Sequence, residues 1–552
     1  MRRTIAAAVV AMATAFTVLP AQSASAADEV TVPTEAVPQI ATDKQADRAL
    51  AAVTELVEGG PAPQSTPEPG VESAPETSLE SVPETDAEPP AAEEAPDLTL
   101  AMRDLYLALP RLSGAEREHA EALLARPTDG AADRQGNGYA VPAKKKCGTA
   151  ICVHYVTSTA DAPPSKGWVN YTLRQMTKVW KHEVKRMGYR KPLSDRALGR
   201  SRNGGNSKFD VYLKDLGSRG LYGYCAAEAG LRGKKYQGRA ISYCVLDNDF
   251  ARAQFGTAPK PTLKATAAHE FFHAVQFSYD YTEDPWFMES TATWMEERVF
   301  DSVNDNRQYL NSSQVRAPWV PLDTFSRSAS FQYGNWAFWE YLSSRYGTKI
   351  VRNVWSGAAP RGKRNTFAIA ALKQQLRRRG GFAKVYRSYA AANAFPARAY
   401  REGRRWPAPT LSGSLRLSKS KRTQAGTLTL NHLAAQHVRV RPAKSLRGKS
   451  WKLRIKVDGP SRKTSPAVVV TVQLRSGKLV RKSIRLNRKG KGQIKVSFSG
   501  RKVRSVTATA VNASTRFDCY RPDAPADPRF SCAGIARDDQ QVFALKFGVV
   551  KR

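Results

Sequence analysis

The segment Ala268-His269-Glu270-Phe271-Phe272-His273 decides how this chain is interpreted. It follows Thr262-Leu263-Lys264-Ala265-Thr266-Ala267, which contains neither Gly nor Pro and therefore favours a helix. On a helix, His269 and His273 lie one turn apart on the same face, so both imidazoles can reach one metal ion. Glu270 then stands beside that metal, where it can take a proton from a bound water. Only seven histidines occur in 552 residues, so a chance match is expected in about one such chain in a hundred. Two core histidines with satisfied hydrogen bonds are the alternative.

A third metal ligand is expected on the next helix, because catalytic zinc usually has three protein ligands. Asp284-Pro285 predicts the start of that helix, as N-cap and first helical residue. Glu289 follows among apolar and small residues, where a carboxylate needs a partner that a metal can provide. Glu289 is therefore the predicted third ligand, with Glu296 and Asp280 as alternatives.

These motifs resemble the gluzincin class of metallopeptidases, in which His-Glu-x-x-His is followed by a ligand Glu on the next helix. The Trp-x-x-Glu-x-x-Ala-x-Trp pattern from Trp286 to Trp294 is similar to the second motif of aminopeptidase-like gluzincins. The layout of about residues 97–540 resembles a family of secreted metalloproteases from actinobacteria and myxobacteria. The resemblance implies a zincin-like fold that hydrolyses peptide bonds through a metal-activated water. It implies Glu270 as general base and zinc on His269, His273 and Glu289.

The sequence also departs from these relatives. Thr293 stands where thermolysin-like enzymes have Asp, and the only later histidines, His432 and His437, lie in a β-rich tail. No Gly-x-Met-Glu-Asn exopeptidase loop is found, so an endopeptidase is the default expectation. Tyr333 resembles the tyrosine of the Tyr-x-x-Gly helix start in aminopeptidase-like gluzincins, although here Gly follows directly. It is the predicted transition-state donor, with ordinary aromatic packing as the alternative.

Residues 1–26 predict an export signal. Arg2 and Arg3 precede a short apolar run, Ile5–Leu19, and Ala24-Ser25-Ala26 supplies small residues for cleavage. No later stretch approaches the roughly 20 apolar residues of a membrane span. The six cysteines allow 15 connectivities, of which local pairing is the simplest. Those pairs are Cys147/Cys152, Cys225/Cys244 and Cys519/Cys532. A secreted protein with structural disulfides, either free outside the cell or associated with the cell wall, is expected.

Composition divides the remaining chain into four parts. Residues 27–98 predict an acidic Pro/Glu-rich disordered linker, although 27–59 have weak helical character. Residues 99–140 predict a helical pro-segment or brace, with a capping box from Ser113 to Glu116. Residues 141–408 have strands first and helices later, which predicts an α+β, zincin-like metallopeptidase domain. Short strands in residues 409–552 predict an all-β sandwich.

The tail is strongly basic. From Leu411 onward there are 33 Lys and Arg, six Asp and no Glu, a large share of the chain's net charge of +37. Such a surface attracts anionic partners. Export favours an anionic cell-wall polymer over nucleic acid, for which no binding module is apparent; a merely solvated basic face is the alternative.

The expected substrate is a peptide or protein. The alternative function is a non-catalytic, polymer-binding secreted protein that retains a zincin scaffold, which the intact Glu270 disfavours.

Overall fold

The computed structural model describes residues 30–31, 40, 42–59, 97–129, 138–327, 329–360, 366–521 and 527–551. The predicted export signal and most of the predicted acidic linker lie outside these residues. Among the helices of the described ranges, none is both long and apolar enough to cross a membrane.

Three helices form an N-terminal helical unit: α1 (Asp43–Glu58), α2 (Leu98–Ala108) and α3 (Gly114–Leu123). The linker prediction was wrong for α1, because Thr42 and Gln45 form a capping box and Ala46, Val53 and Val57 are buried along one face. The capping box predicted at Ser113 was also wrong. The helix starts there, but the Ser113 side chain makes no cap hydrogen bond, and Gly114 has a left-handed φ of +52°.

A six-stranded mixed sheet forms the centre of the first domain. Its strands are β1 (Val30–Thr31), β2 (Lys144–Cys147), β3 (Ile151–Tyr155), β4 (Phe209–Lys214), β5 (Gly223–Leu231) and β6 (Ala240–Asp247), in the order β1-β5-β6-β4-β3-β2. β3, β4 and β6 are parallel, whereas β5 runs antiparallel to β6. The sequence predicts strands at residues 152–157, 209–213 and 241–246, and these correspond to β3, β4 and β6. The sequence did not predict β5, whose small residues have weak strand propensity.

Among the described residues of this domain, one α-helix lies between β3 and β4 and the others follow the sheet. The helices are α4 (Lys166–Trp180), α5 (Arg252–Phe255), α6 (Pro259–Phe277), α7 (Pro285–Val299), α8 (Phe331–Gly334), α9 (Trp336–Tyr346), α10 (Lys349–Ala358), α11 (Ala368–Leu376), α12 (Phe382–Asn393) and α13 (Pro396–Ala399). α6 and α7 begin with Pro at the first turn, where its missing N–H is harmless. Both helices are buried on almost every side. α6 packs against β5, β6, α4 and α7.

The C-terminal region is a β domain. Its strands are β7 (Gly413–Leu417), β8 (Thr423–Leu430), β9 (Ala434–Pro442), β10 (Lys452–Asp458), β11 (Pro466–Leu474), β12 (Leu479–Ser483), β13 (Lys491–Ser497), β14 (Val503–Asn512), β15 (Phe517–Asp518), β16 (Ile535–Ala536) and β17 (Gln541–Val550). One sheet has the order β13-β10-β17-β8 and the other β12-β11-β14-β9-β7. Both contribute to one core, as with Ile455 and Phe543 from the first sheet and Val438 and Val470 from the second. The predicted α+β fold with a C-terminal β domain is confirmed at this level.

The predicted local disulfide pairing is confirmed. Cys147–Cys152 joins β2 to β3, Cys225–Cys244 joins opposite positions of β5 and β6, and Cys519–Cys532 closes a loop in the β domain.

Asp284 connects the two domains. It lies at the N-cap position of α7, as predicted, but its carboxylate makes no capping hydrogen bond to a backbone amide of that helix. Its Oδ1 instead accepts a hydrogen bond from the Cys532 amide at 2.6 Å, and its Oδ2 accepts one from the Ser531 hydroxyl. The C-terminal β domain therefore anchors the start of α7.

Candidate metal centre

Helices α6 and α7 bring His269, His273 and Glu289 together. One ligand atom of each lies within 4.8 Å of the others. Nε2 of His269 is 3.2 Å from Oε2 of Glu289, and Nε2 of His273 is 3.5 Å from Oε1 of the same carboxylate. In a tetrahedral zinc site with bonds of about 2.0–2.2 Å, neighbouring ligand atoms lie about 3.3–3.5 Å apart. The three residues therefore fit a zinc ion. Asp280 lies outside this cluster and accepts hydrogen bonds from Thr282.

The other ring nitrogen of each histidine has a partner. His269 Nδ1 lies 2.8 Å from Oε1 of Glu296, and His273 Nδ1 lies 2.8 Å from Oε1 of Gln276. The amide of Gln276 is itself oriented, because its Nε2 donates to the Met288 carbonyl at 2.8 Å. An acceptor at each Nδ1 favours the tautomer with its proton on Nδ1, which leaves the Nε2 lone pair of each ring available to a cation. This arrangement is typical of metal-binding histidines.

Glu289 is the charged centre of the cluster. It is 1% exposed. Burial alone would raise its pKa, but His273 and His269 lower the pKa to about 2. For both histidines burial lowers the pKa, and the interaction with Glu289 outweighs burial and raises it. Oε1 of Glu289 is buried and accepts no hydrogen bond. A cation bound by the three residues would satisfy this oxygen.

Glu270 stands next to the ligands but outside their cluster. It is 7% exposed, and burial raises its pKa against the opposing effect of the two histidines. Its Oε2 accepts a hydrogen bond from the Thr99 hydroxyl at 2.9 Å, and the same hydroxyl accepts one from the Cys225 amide at 3.0 Å. A buried carboxyl with a raised pKa beside a metal site is suited to proton transfer.

The cluster faces a cavity of about 100 Å³. Tyr333 lines it with its ring centroid 6.0 Å from that of His269, and Tyr309 packs on Tyr333 at 5.1 Å. Burial raises the pKa of both phenols well above the usual value, so both are neutral hydrogen-bond donors. Asp97 and Thr99 also line the cavity. Burial and the nearby Glu289 raise the pKa of Asp97 to about 7.

Three of these lining residues were missed by sequence reasoning: Tyr309, Asp97 and Thr99. Tyr309 lies on a 3-10 helix (Asp305–Ser312) without a recognisable motif. Thr99 reaches Glu270 across 171 residues of chain. No local sequence pattern predicts a contact between residues so far apart in the chain.

The sequence profile of a family of unknown function, DUF6055, matches residues 256–370. This range contains α6 and α7, and so all three residues of the cluster. No curated protein matches the chain. One matching solved structure is a family GH115 4-O-methyl-alpha-glucuronidase, BtGH115A, with specificity for decorated arabinogalactans. It shares 9% identity with a TM-score of 0.13, and the match covers 67% of this chain but only about half (54%) of that enzyme. So low a TM-score supports no conclusion about fold or function.

Proposed function

We propose that this protein is a secreted zinc metallopeptidase with a gluzincin-type ligand set on a zincin-like domain. The observation that carries the proposal is the spacing of the Nε2 atoms of His269 and His273 from the carboxylate of Glu289, 3.2 and 3.5 Å. Glu270 immediately beside the cluster supplies the acid–base group that a purely structural zinc site does not need. The three disulfides support an oxidising compartment, and so secretion.

Each residue has a defined task in this proposal. His269, His273 and Glu289 hold the ion, which when bound supplies a Lewis acid for a peptide carbonyl and lowers the pKa of water. Glu270 accepts the proton of the attacking water and passes it to the leaving amine, for which its raised pKa is favourable. Tyr333 is the candidate donor to the oxyanion. Endopeptidase action remains the default expectation.

Metal analysis combined with peptide hydrolysis tests the proposal. The full chain should bind about one zinc, His273→Ala should lose it, and His182→Ala should retain it as the matched histidine control. Glu270→Gln should keep the zinc but lower hydrolysis about 10²- to 10⁴-fold. Because the cavity is small, hydrolysis is measured both on the intact chain and after limited proteolysis. A chain that binds no zinc, or a Glu270→Gln variant with wild-type turnover, contradicts the proposal.

The basic β domain supports a second, compatible function: binding of an anionic wall polymer. A groove of about 820 Å³ crosses the outer face of the four-stranded sheet. Lys456, Lys491 and Lys546 line it together with small residues such as Ala425 and Ala544. Asp458 also lines the groove and pairs with Lys491 at 3.0 Å, so three lysines face one carboxylate there. The excess of positive charge is suited to a chain of negative charges. If the metal centre proves inactive, this surface carries the non-catalytic alternative.

A further inference from the structure

The N-terminal helical unit reaches into the metal centre. Every residue of α2 is buried, and α2 packs along β5, the strand next to Glu270. Asp97, Leu98 and Thr99, at the start of α2, form part of the cavity wall. A segment that precedes the catalytic domain in the chain therefore forms part of the wall of the candidate metal centre.

The Thr99 hydroxyl forms hydrogen bonds with two groups that a bound peptide would need. Its hydroxyl donates to Glu270, the proposed general base, and accepts from the amide of Cys225 on β5. In the described part of the chain, the side of β5 that faces away from β6 pairs only with the two-residue β1, at Gly230 and Leu231. The Cys225 amide is thus an edge-strand donor of the kind that binds extended peptides by strand addition. In this structure the Cys225 amide donates to the Thr99 hydroxyl instead.

Asp97 adds a buried carboxyl group to the same wall. Its Oδ1 caps α2 by accepting from the Leu100 amide at 2.9 Å, which fixes the side chain. Its Oδ2 is buried and accepts no hydrogen bond. Asp97 lies outside the three-residue cluster, but it interacts electrostatically with both Glu289 and His273. A cation in the cluster would be attracted to Asp97, which would hold this segment closed.

The volume of the cavity agrees with a closed state. Ligand pockets usually have about 300–1,000 Å³, whereas this cavity has about 100 Å³. A peptide cannot enter beside Thr99 and Asp97 in their present positions.

Buried ion pairs fix the unit in place. Arg126, which follows α3, contacts Asp195, Asp210 and Glu228, all three of them belonging to the following domain. Within α2, Arg103 donates to the Glu283 carbonyl at 3.1 Å, immediately before α7. Breaking such buried pairs one partner at a time is strongly unfavourable. The unit therefore does not open by small fluctuations.

We infer that Asp97–Thr99 is an autoinhibitory latch, with which the N-terminal helical unit closes the metal centre until cleavage and dissociation of that unit expose it. The inference rests on the proposed function. It assigns residues 97–129 to the inhibitor and not to the working catalytic domain.

The test uses the zinc-loaded full chain and follows zinc extraction by excess dipicolinate, which reports access to the metal independently of catalysis. Thr99→Val and Asp97→Asn should each accelerate extraction about tenfold and raise peptide hydrolysis. Thr99→Ser keeps the hydroxyl and should stay closer to the wild type. Thr54→Val is the matched control, because the Thr54 hydroxyl bonds only to the Leu50 carbonyl within α1. Limited proteolysis that releases the unit should produce the largest increase in both rates.

The outcomes separate the two proposals. A chain that binds no zinc overturns the proposed function and the latch together. Stoichiometric zinc with unchanged extraction rates in Thr99→Val, Asp97→Asn and the cleaved chain overturns the latch alone. A Thr99→Val variant that hydrolyses peptides more slowly, at an unchanged extraction rate, shows that Thr99 positions Glu270 in the working enzyme. That result also overturns the latch.

Discussion

Oε1 of Glu296 lies 2.8 Å from Nδ1 of His269, two helical turns beyond Glu289 on α7. Thermolysin-like enzymes have an Asp four residues after the ligand Glu, where this chain has Thr293. The Thr293 hydroxyl only bonds back to the Glu289 carbonyl at 3.0 Å. In this chain the partner of the His269 ring is Glu296, which lies three residues after Thr293 on the same helix.

We expect Glu296→Ala to weaken zinc binding about 10- to 100-fold, because the ring of His269 loses the acceptor that fixes its orientation and tautomer. Competition with a chelator of known affinity measures the effect. Glu297→Ala is the matched control, because Glu297 is the next residue of α7 and contacts Arg298 at 3.4 Å, whereas Nδ1 of His269 contacts Glu296. Equal zinc affinities of the two variants would contradict the role of Glu296.

Tyr333→Phe tests the transition-state donor. If the phenol stabilises the oxyanion, its removal should lower kcat of the proteolytically activated protein about 100-fold, with zinc content and KM nearly unchanged. Tyr309→Phe removes the neighbouring phenol, which contacts Tyr333 and not His269 in the ring contacts described. We expect a smaller fall for this control. A larger fall in kcat for Tyr309→Phe than for Tyr333→Phe would indicate that Tyr309 is the donor.

The pH dependence of stability should depend on His432. Burial lowers its pKa, but Asp323 and Asp539 outweigh burial and raise the pKa to about 9. The unfolded value is about 6.5, so the stabilisation is complete below pH 6.5 and is lost as the pH rises to about 9. Its full size is about 3 kcal/mol. Urea unfolding at a series of pH values should show this loss for the wild type and a flatter profile for His432→Asn. If the wild type and His432→Asn lost stability in parallel as the pH rises, His432 would not be the cause of the loss.

Removing the Cys225–Cys244 disulfide by a double Ala substitution should lower the free energy of unfolding by about 3 kcal/mol. The loop of Cys147–Cys152 is shorter, with a separation of 5 against 19 residues. Its removal should therefore have a smaller effect, about 2 kcal/mol. Denaturant unfolding of both variants measures the difference. The larger loss for the shorter loop would argue against an effect on unfolded-chain entropy.

The lysine groove predicts salt-dependent polymer binding. Replacing Lys456, Lys491 and Lys546 together by Gln should weaken binding to a poly(glycerol phosphate) chain at least about tenfold at low salt, and the difference should shrink as salt screens the charges. A triple Gln variant of exposed lysines outside the groove has the same net charge and serves as the control: Lys419, Lys444 and Lys482. Equal losses in the two variants would indicate a diffuse charge effect without a defined site.

The proximity of His269, His273 and Glu289 could be predicted because the information for it is local. His269 and His273 share a helix face by spacing alone, and Pro285 marks the start of the helix that carries Glu289. The strand β5 could not be predicted in the same way. Its conformation is imposed by pairing with β6 and by the bridge from Cys225 to Cys244, not by its own residues. The contact of Thr99 with Glu270 likewise depends on packing between distant segments.

The hydrogen bonds from Ser531 and Cys532 to Asp284 have a consequence for the order of events during biosynthesis. These donors are made 247 and 248 residues after their acceptor. Cys532 also has to be oxidised with Cys519 before its loop is fixed. A nascent chain that already contains both helices of the candidate metal centre therefore lacks the anchor at the start of α7. The metal centre should mature late, after synthesis and oxidation of the C-terminal loop are complete, which delays any hydrolytic activity inside the producing cell.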